Sequence, residues 1–504
     1  MPGYEALLTR RRFVALAAAV AGGVLTGEGF GATPAGHSAA RAAAPSLDQA
    51  GYLTQPDWAP PPIALATPAA PAAVAPGYIF VAPGAPGAPP DALGRHGPLI
   101  LDDDGEPVWF LPLATRTAMN FRAQRYRGRN VLTWYEGDNQ STYGGSCVIY
   151  DATYRELKRV HAGHGLDCDL HEFLITSRDT ALVTVYNEVS ADLSSVGGPP
   201  DGRVVEGIVQ ELELPSGRVV FEWHSLDHVP LDESFRPEVT SAGNVDYFHL
   251  NSIGVAPDGD LLVSSRHTST VYKVGRRTGK IVWRLGGKKS DFALGPGAAF
   301  NFQHDVRGHA DGTLTIFDNG ATDAGAGDVE PGSRALRLQL DTRSMTATLL
   351  AALEPAQPRL AIAMGDVQEL PGGNVFVGWG TTGWYSEYGP DGSVLLDARF
   401  GDGSMSYRAF RLPWAGNPTT KPAAAARANA DGTSTVHASW NGATGVTHWQ
   451  VRTGPAPTRL TTGTTAARSG FETAIVVPAA TGYAVAYALD ASGDELGASA
   501  PVAL

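Results

Sequence analysis

Three histidines stand at one recurring position of the chain. His171 opens His171-Glu172-Phe173-Leu174-Ile175, His249 lies in Tyr247-Phe248-His249-Leu250-Asn251-Ser252, and His304 lies in Phe302-Gln303-His304-Asp305-Val306. Each stands at the start of a short apolar strand that runs into a turn. A fourth segment has Gly365-Asp366-Val367 there instead. Arg266 ends the strand after the Asp258-Gly259 turn, in Ser264-Ser265-Arg266-His267. Imidazoles donate hydrogen bonds, attack as nucleophiles or carry protons. The arginine fork is permanently charged and matches sulfate or phosphate oxygens. The set therefore suits an oxyanion substrate. Asn251 is expected to contact the substrate or, like Asp305, to orient an imidazole or form a turn. Two plainer readings stay open: histidines satisfied within a core, and a three-histidine zinc site. Arg266 argues against zinc, because a cation beside a metal is repelled. His161, His164, His224, His228 and His309 share no register and are expected on the surface or in loops.

Strand and turn alternation must position these residues. Leu99-Ile100-Leu101, Asp103-Asp104-Gly105 and Pro107-Val108-Trp109-Phe110 read as strand, turn and strand. The same grammar returns at Asp258-Gly259, Asp311-Gly312 and Gly372-Gly373. Residues 77–400 carry no helical period. A recurring four-stranded unit is the signature of a β-propeller, and about six units begin near residues 78, 118, 165, 245, 300 and 361. Matched positions on the innermost strands of a propeller all face its axis, so the histidines and Arg266 are expected to converge there. The largest loops are expected at Asp192–Gly202 and Thr322–Gly332. The fold class is thus all-β: a six-bladed β-propeller over 77–414, followed over 415–504 by a small fibronectin type III or immunoglobulin-like β-sandwich. Val436–Trp440, Thr447–Val451 and Tyr483–Ala488 supply its alternating strands.

The chain has 504 residues, 60 of them Gly and 36 Pro, and a formal net charge of -13. That length predicts more than one domain. The acidic balance disfavours nucleic acid and anionic membrane surfaces. No apolar run beyond the N-terminus is long enough to span a membrane. Thr9-Arg10-Arg11-Arg12-Phe13-Val14, followed by an apolar stretch to Leu25, is a twin-arginine export pattern. Residues 1–44 are read as this signal and its lead-in, and the protein as secreted or associated with the cell envelope. Residues 45–76 are an Ala- and Pro-rich linker, with structure expected from Gly77. The two cysteines, Cys147 and Cys168, are expected to form a disulfide worth roughly 3 kcal/mol in an exported protein, the plainer alternative being two separate buried thiols.

Tyr247–Ser252 followed by Ser264–His267 resembles the signature of the arylsulfotransferase family. Trp283-Arg284-Leu285-Gly286-Gly287 and Phe302–Asp305 resemble it too. The resemblance covers residues 78–400. It implies a six-bladed propeller that moves a sulfuryl group between phenols without phosphoadenosine phosphosulfate or another cofactor. The chain indeed lacks a Gly-rich phosphate loop. By order and motif, His304 is similar to the family's nucleophile, His249 and Arg266 to its sulfuryl-binding pair, and His171 to its remaining histidine. The expected partners are small: a phenolic sulfate donor and a phenolic acceptor. Two features depart from the family's well-understood members: the added domain is C-terminal, and Asp305 and Arg307 form an extra charged pair. The competing readings are a non-catalytic exported propeller that binds a ligand or cell-surface partner, and a hydrolase that uses water as acceptor.

Overall fold

A computed structural model of the chain describes residues 51–70, 72–84, 95–138, 144–236, 244–321, 332–478 and 481–504. The twin-arginine segment lies outside the described residues, as does 322–331 of the second expected loop.

The described residues form an all-β structure of largely antiparallel sheets, four of the eight being four-stranded. Six sheets occupy residues 63–412. Their first strands are Ala409–Leu412, Arg116–Tyr126, Phe173–Ile175, Leu250–Val255, His304–Gly308 and Asp366–Glu369. The remaining strands pair outward from the first, antiparallel except where Ala293–Leu294 adds a parallel edge strand to Thr346–Leu353. Asx and glycine turns build those hairpins. In one, Asp258 accepts from the Asp260 amide at 3.2 Å and Gly259 adopts a φ of +88°, which an L side chain rarely takes.

The six sheets close on themselves. Arg116–Tyr126 packs beside both Ala409–Leu412 and Phe173–Ile175, and the strand after Phe173–Ile175 packs beside Leu250–Val255. Leu250–Val255 then meets His304–Gly308, which meets Asp366–Glu369, which meets Ala409–Leu412. The first sheet draws on both ends of this region, because Ala409–Leu412 pairs with Tyr78–Val81. Apolar side chains fill the spaces between sheets. Phe121, for example, lies 5.4 Å from Phe80, 5.8 Å from Trp109 and 6.0 Å from Trp134, ring to ring.

Regular structure starts before Gly77. Ile63–Thr67 adds an outer strand against Val394–Phe400. Tyr52 and Trp58 pack on Phe471, and Trp58 also packs on Phe110. Aromatic anchors inside an Ala- and Pro-rich stretch are what hold it down. At the other end, Ala423–Ala428, Ser434–Ser439 and Thr473–Val477 form one small sheet, and a second is built on His448–Ala456 and Tyr483–Leu489. Val436, Trp449, Val451, Ile475 and Ala486 fill the core between them. This unit abuts the first sheet: Asn441 exchanges two 3.0 Å hydrogen bonds with the Phe110 backbone.

The expected disulfide is absent. Cys147 and Cys168 are buried free thiols in one apolar cluster with Met119, Phe173 and Ile208. Cys168 donates weakly to the Val160 carbonyl, 3.7 Å away. Burial pushes the Cys147 thiol up, and the adjacent Cys168 reinforces this. The thiolate needed for oxidation is thereby suppressed, and both residues act as small apolar side chains.

Candidate functional site

The six first strands carry the polar residues of the ring's interior, five at the strand start and Arg116–Tyr126 at its middle. These stretches read Asn120-Phe121-Arg122, His171-Glu172, His249-Leu250-Asn251, His304-Asp305, Met364-Gly365-Asp366 and Tyr407-Arg408. Several have left-handed backbone: Asn120 (φ +56°), His249 (+53°), Asp305 (+49°) and Met364 (+66°). Such positions are costly for non-glycine residues and persist only where the surroundings dictate them. Two layers result, one of histidines and one of ion pairs.

The histidine layer gathers the expected residues. The rings of His171 and His249 lie 5.2 Å apart, near edge to face. His171 stacks on Tyr186 at 5.3 Å. Tyr407 lies 5.5 Å from His171 and 6.3 Å from His304. His304 is only 1% exposed, whereas the His249 side chain is 24% exposed. Access is therefore from the His249 side, with His304 as the floor.

Hydrogen bonds define the state of His304. Nδ1 lies 2.7 Å from Asn319 Oδ1. The Asn319 amide nitrogen donates to the carbonyls of Ala361 (2.7 Å) and Met364 (3.0 Å), so Oδ1 must be the acceptor for the ring. His304 is thus protonated on Nδ1 and keeps a lone pair on Nε2. The Met364 amide approaches that nitrogen at 3.2 Å. Burial, then the Arg266 charge, push the His304 pKa well below its ordinary value, outweighing Asn319. The ring is neutral at neutral pH.

His171 Nδ1 meets Asp169, which also accepts from Thr184 Oγ1 at 3.2 Å. His249 Nδ1 meets Asp246 Oδ2 at 2.5 Å. Burial lowers the His249 pKa despite that carboxylate. Arg266 is 8% exposed and donates to the Ile362 carbonyl at 3.0 Å. Burial, then Arg236, push its pKa down to about 10, so it stays charged at neutral pH.

Asn251 does not point to an open site. It is fully buried and donates to the Gln303 carbonyl at 2.6 Å, which steadies the backbone leading into His304. Asp305 orients no imidazole. It pairs with Arg307 and lies 3.3 Å from Arg408 Nε. This explains the extra charged pair, which belongs to the second layer. There Glu172 accepts from Arg122 (2.8 Å), Arg307 (2.7 Å) and Arg408 (3.1 Å), with Glu172 and Arg408 completely buried. Burial would raise the Glu172 pKa, but the three guanidiniums hold it well below the carboxylate range. Burial, then Asp305, push Asp366 well up. The layer spans five of the six first strands and forms a rigid base for the histidines.

His161, His164, His224, His228 and His309 stay outside the cluster. His164 pairs with Glu222 at 3.0 Å, His224 with Glu206 at 3.2 Å, and His228 stacks on Trp223 at 5.2 Å. Sequence reasoning missed His267, whose ring lies 4.5 Å from that of His249. It also missed the partners Asp169, Asp246 and Asn319. A signal for two of them was present, since a carboxylate precedes His171 by two residues and His249 by three. Asp246, His249 and His267 bring possible metal-ligand atoms within 4.8 Å of one another. They do not suit a cation. Asp246 already binds Nδ1 of both rings, through its carboxylate and its carbonyl, and the Arg266 guanidinium sits 2.9 Å from His267 Nε2.

A family model described as Arylsulfotransferase (ASST) matches residues 122–401. Among curated proteins, none matches in sequence. A protein of unknown function from Bacteroides caccae aligns at 14% identity and a TM-score of 0.40, covering 66% of this chain and 98% of its own. An auxiliary nutrient binding protein from Bacteroides ovatus aligns at 9% identity and 0.35, covering 71% and 73%. Virginiamycin B lyase from Staphylococcus aureus with quinupristin aligns at 9% identity and 0.32, covering 72% and 95%. Likenesses this loose carry no argument about activity. Among the described residues, no helix is long and apolar enough to cross a membrane.

Proposed function

The chain belongs to the arylsulfotransferase family, and from that footing we propose that it moves a sulfuryl group from a phenolic sulfate ester to a phenolic acceptor through a sulfohistidine on His304. One observation carries the reading: a neutral, buried His304 whose Nδ1 donates to Asn319 and whose Nε2 holds a lone pair. That is the state a nucleophilic imidazole needs. Nε2 attacks sulfur as the sulfur–oxygen bond to the aryl group breaks, and that electron pair leaves on the phenolate. His171, held by Asp169, supplies the proton the phenolate takes up. Arg266 balances charge on the sulfuryl oxygens, and His249, held by Asp246, stands beside it as the second residue of the sulfuryl-binding pair. The Met364 amide, released from Nε2 as the new bond forms, is near enough to join them. An acceptor phenol then reverses the steps and regenerates neutral His304. The base set, with no phosphate loop, supports a reaction without phosphoadenosine phosphosulfate.

The closed ring of six sheets is best read as a six-bladed propeller, and the C-terminal pair of sheets as a fibronectin type III-like module. The twin-arginine residues support an exported protein. Release of p-nitrophenol from p-nitrophenyl sulfate tests the function. It should depend on added phenol and vanish in His304→Ala. Release independent of phenol would make the protein a hydrolase. No turnover with any phenol would favour a non-catalytic ligand-binding protein.

A further inference from the structure

Arg266 differs from four other buried arginines in what surrounds it. Arg122, Arg334, Arg408 and Arg411 each meet a carboxylate. Arg266 has no direct ion pair among the described residues, and the Asp246 carboxylate acts on it only from beyond contact distance. Its contacts are neutral: the Ile362 carbonyl at 3.0 Å, His267 Nε2 at 2.9 Å, and the face of Phe302 at 4.7 Å. An unpaired buried cation is expensive unless something is meant to meet it.

His267 can hold Arg266 only in one form. Its Nδ1 lies 2.5 Å from the Asp246 carbonyl, an obligate acceptor, so Nδ1 carries the proton. Nε2 is left with a lone pair, which the guanidinium uses. The Asp246 carboxylate meanwhile binds His249. Asp246 therefore fixes two rings, one through its main chain and one through its side chain. The turn after Arg266 is braced from behind. A Cβ on Gly287 would lie 2.0 Å from Thr270 Oγ1 and 2.5 Å from the Thr268 carbonyl, so only glycine fits.

We propose that His267 and Asp246 are positioning residues that aim Arg266 through a neutral acceptor, leaving the guanidinium charge unneutralised for the sulfuryl group. The proposal rests on the sulfuryl-transfer reading. A carboxylate in place of His267 would hold Arg266 equally well but cancel its field. An imidazole does the first without the second.

The test compares His267→Gln, His267→Phe and His267→Glu in the full chain. Gln keeps a neutral acceptor, Phe keeps volume without one, and Glu supplies a charged one. Two readouts are used: the affinity for inorganic sulfate by calorimetry, and kcat and KM with p-nitrophenyl sulfate and phenol. A hydrogen bond to a charged group is worth about 1.5–3 kcal/mol, so Phe should weaken sulfate binding and kcat/KM by roughly 10- to 100-fold. Gln should stay within about 3-fold of the wild type on the same scale, and Glu should lose at least as much as Phe. Asp246→Asn keeps the carbonyl that His267 uses. It should lower kcat through His249 while changing sulfate affinity less than His267→Phe does. Circular dichroism melts confirm that each variant is folded. Equal behaviour of Gln and Phe, or wild-type sulfate affinity in Glu, overturns the clamp. So does a wild-type protein that binds no sulfate. If the wild type binds sulfate but turns over no ester, the transfer reading fails and the sulfate series still judges the clamp.

Discussion

Asn319 is the residue whose loss should disturb the site most while leaving every reacting group in place. It accepts from His304 Nδ1 and donates to the carbonyls of Ala361 and Met364. The segment it holds, 361–364, supplies the Ile362 carbonyl to Arg266 and the Met364 amide to His304 Nε2. One side chain therefore fixes both the nucleophile and the main charge that faces it. Asn319→Ala removes three hydrogen bonds, each worth about 0.5–1.5 kcal/mol net, so a stability loss of about 2–4 kcal/mol is expected. The share felt by the reaction is smaller. Losing the bond that sets the ring's tautomer, with some misplacement of Nε2, amounts to roughly 1.4–2.8 kcal/mol, a 10- to 100-fold fall in kcat/KM. Asn319→Asp separates orientation from electrostatics. A carboxylate against Nδ1 keeps the acceptor but favours imidazolium, and an opposite charge this close raises a pKa by about 1–3 units. The acid limb of kcat/KM should then move upward in pH relative to the wild type. Profiles from pH 5 to 9 with p-nitrophenyl sulfate and phenol measure both effects. A full-rate Asn319→Ala enzyme, or an Asn319→Asp profile that matches the wild type, would refute this reasoning.

Other expectations follow from the same contacts. Wild-type kcat/KM should show no loss from His304 protonation between pH 8 and the ordinary histidine pKa, because burial and Arg266 depress that of His304; an acid limb centred at or above the ordinary value contradicts it. Glu172→Gln strips one charge from a buried network and should cost about 3–5 kcal/mol by denaturant melts; a change under about 1 kcal/mol would count against that network. Since the folded Glu172 pKa is depressed, its contribution is complete above the ordinary glutamate range and is lost as pH falls through the folded value. Asp366 has the opposite sign: raised in the fold, it gives most stability below the ordinary aspartate range and loses it as pH rises. Asp366→Asn should flatten that decline, and an unchanged stability–pH slope would contradict it. Thiol titration of denatured, unreduced protein should find both Cys147 and Cys168 free, and a reductant should leave the melting temperature unchanged.

Strand rhythm made the β architecture legible in the chain. Asp258-Gly259, Asp311-Gly312 and Gly372-Gly373 are local signals, and each does turn between two strands. The shared placement of His171, His249 and His304 was legible for the same reason, since a repeating unit converts a sequence offset into a spatial one. Residues bound by contacts across sheets were not. Asn319 follows the strand that pairs with that of His304, fifteen residues on, and nothing local to it points there. His267 was visible beside Arg266 but lay off the shared register, so its place against His249 depends on the turn at 266–269. Asn251 and Asp305 were read as near the chemistry because they flank histidines. Alternation sends Asp305, next to His304, inward to Arg408, whereas the left-handed backbone at His249 and the bulge between Leu250 and Ser252 turn Asn251 to Gln303. The Cys147–Cys168 bridge was expected from export and number alone; both thiols are free and completely buried, which removes the thiolate that oxidation requires.

The nucleophilic role of His304 is tested most directly by catching the covalent state. The protein would be mixed with p-nitrophenyl sulfate in the absence of acceptor, quenched in alkali and digested, and its peptides examined by mass spectrometry. The account expects one added sulfuryl group on the peptide containing His304, absent in His304→Phe and discharged when phenol is added before quenching. Turnover with no modification of that peptide, or a sulfuryl group found on His171 or His249 instead, would contradict it.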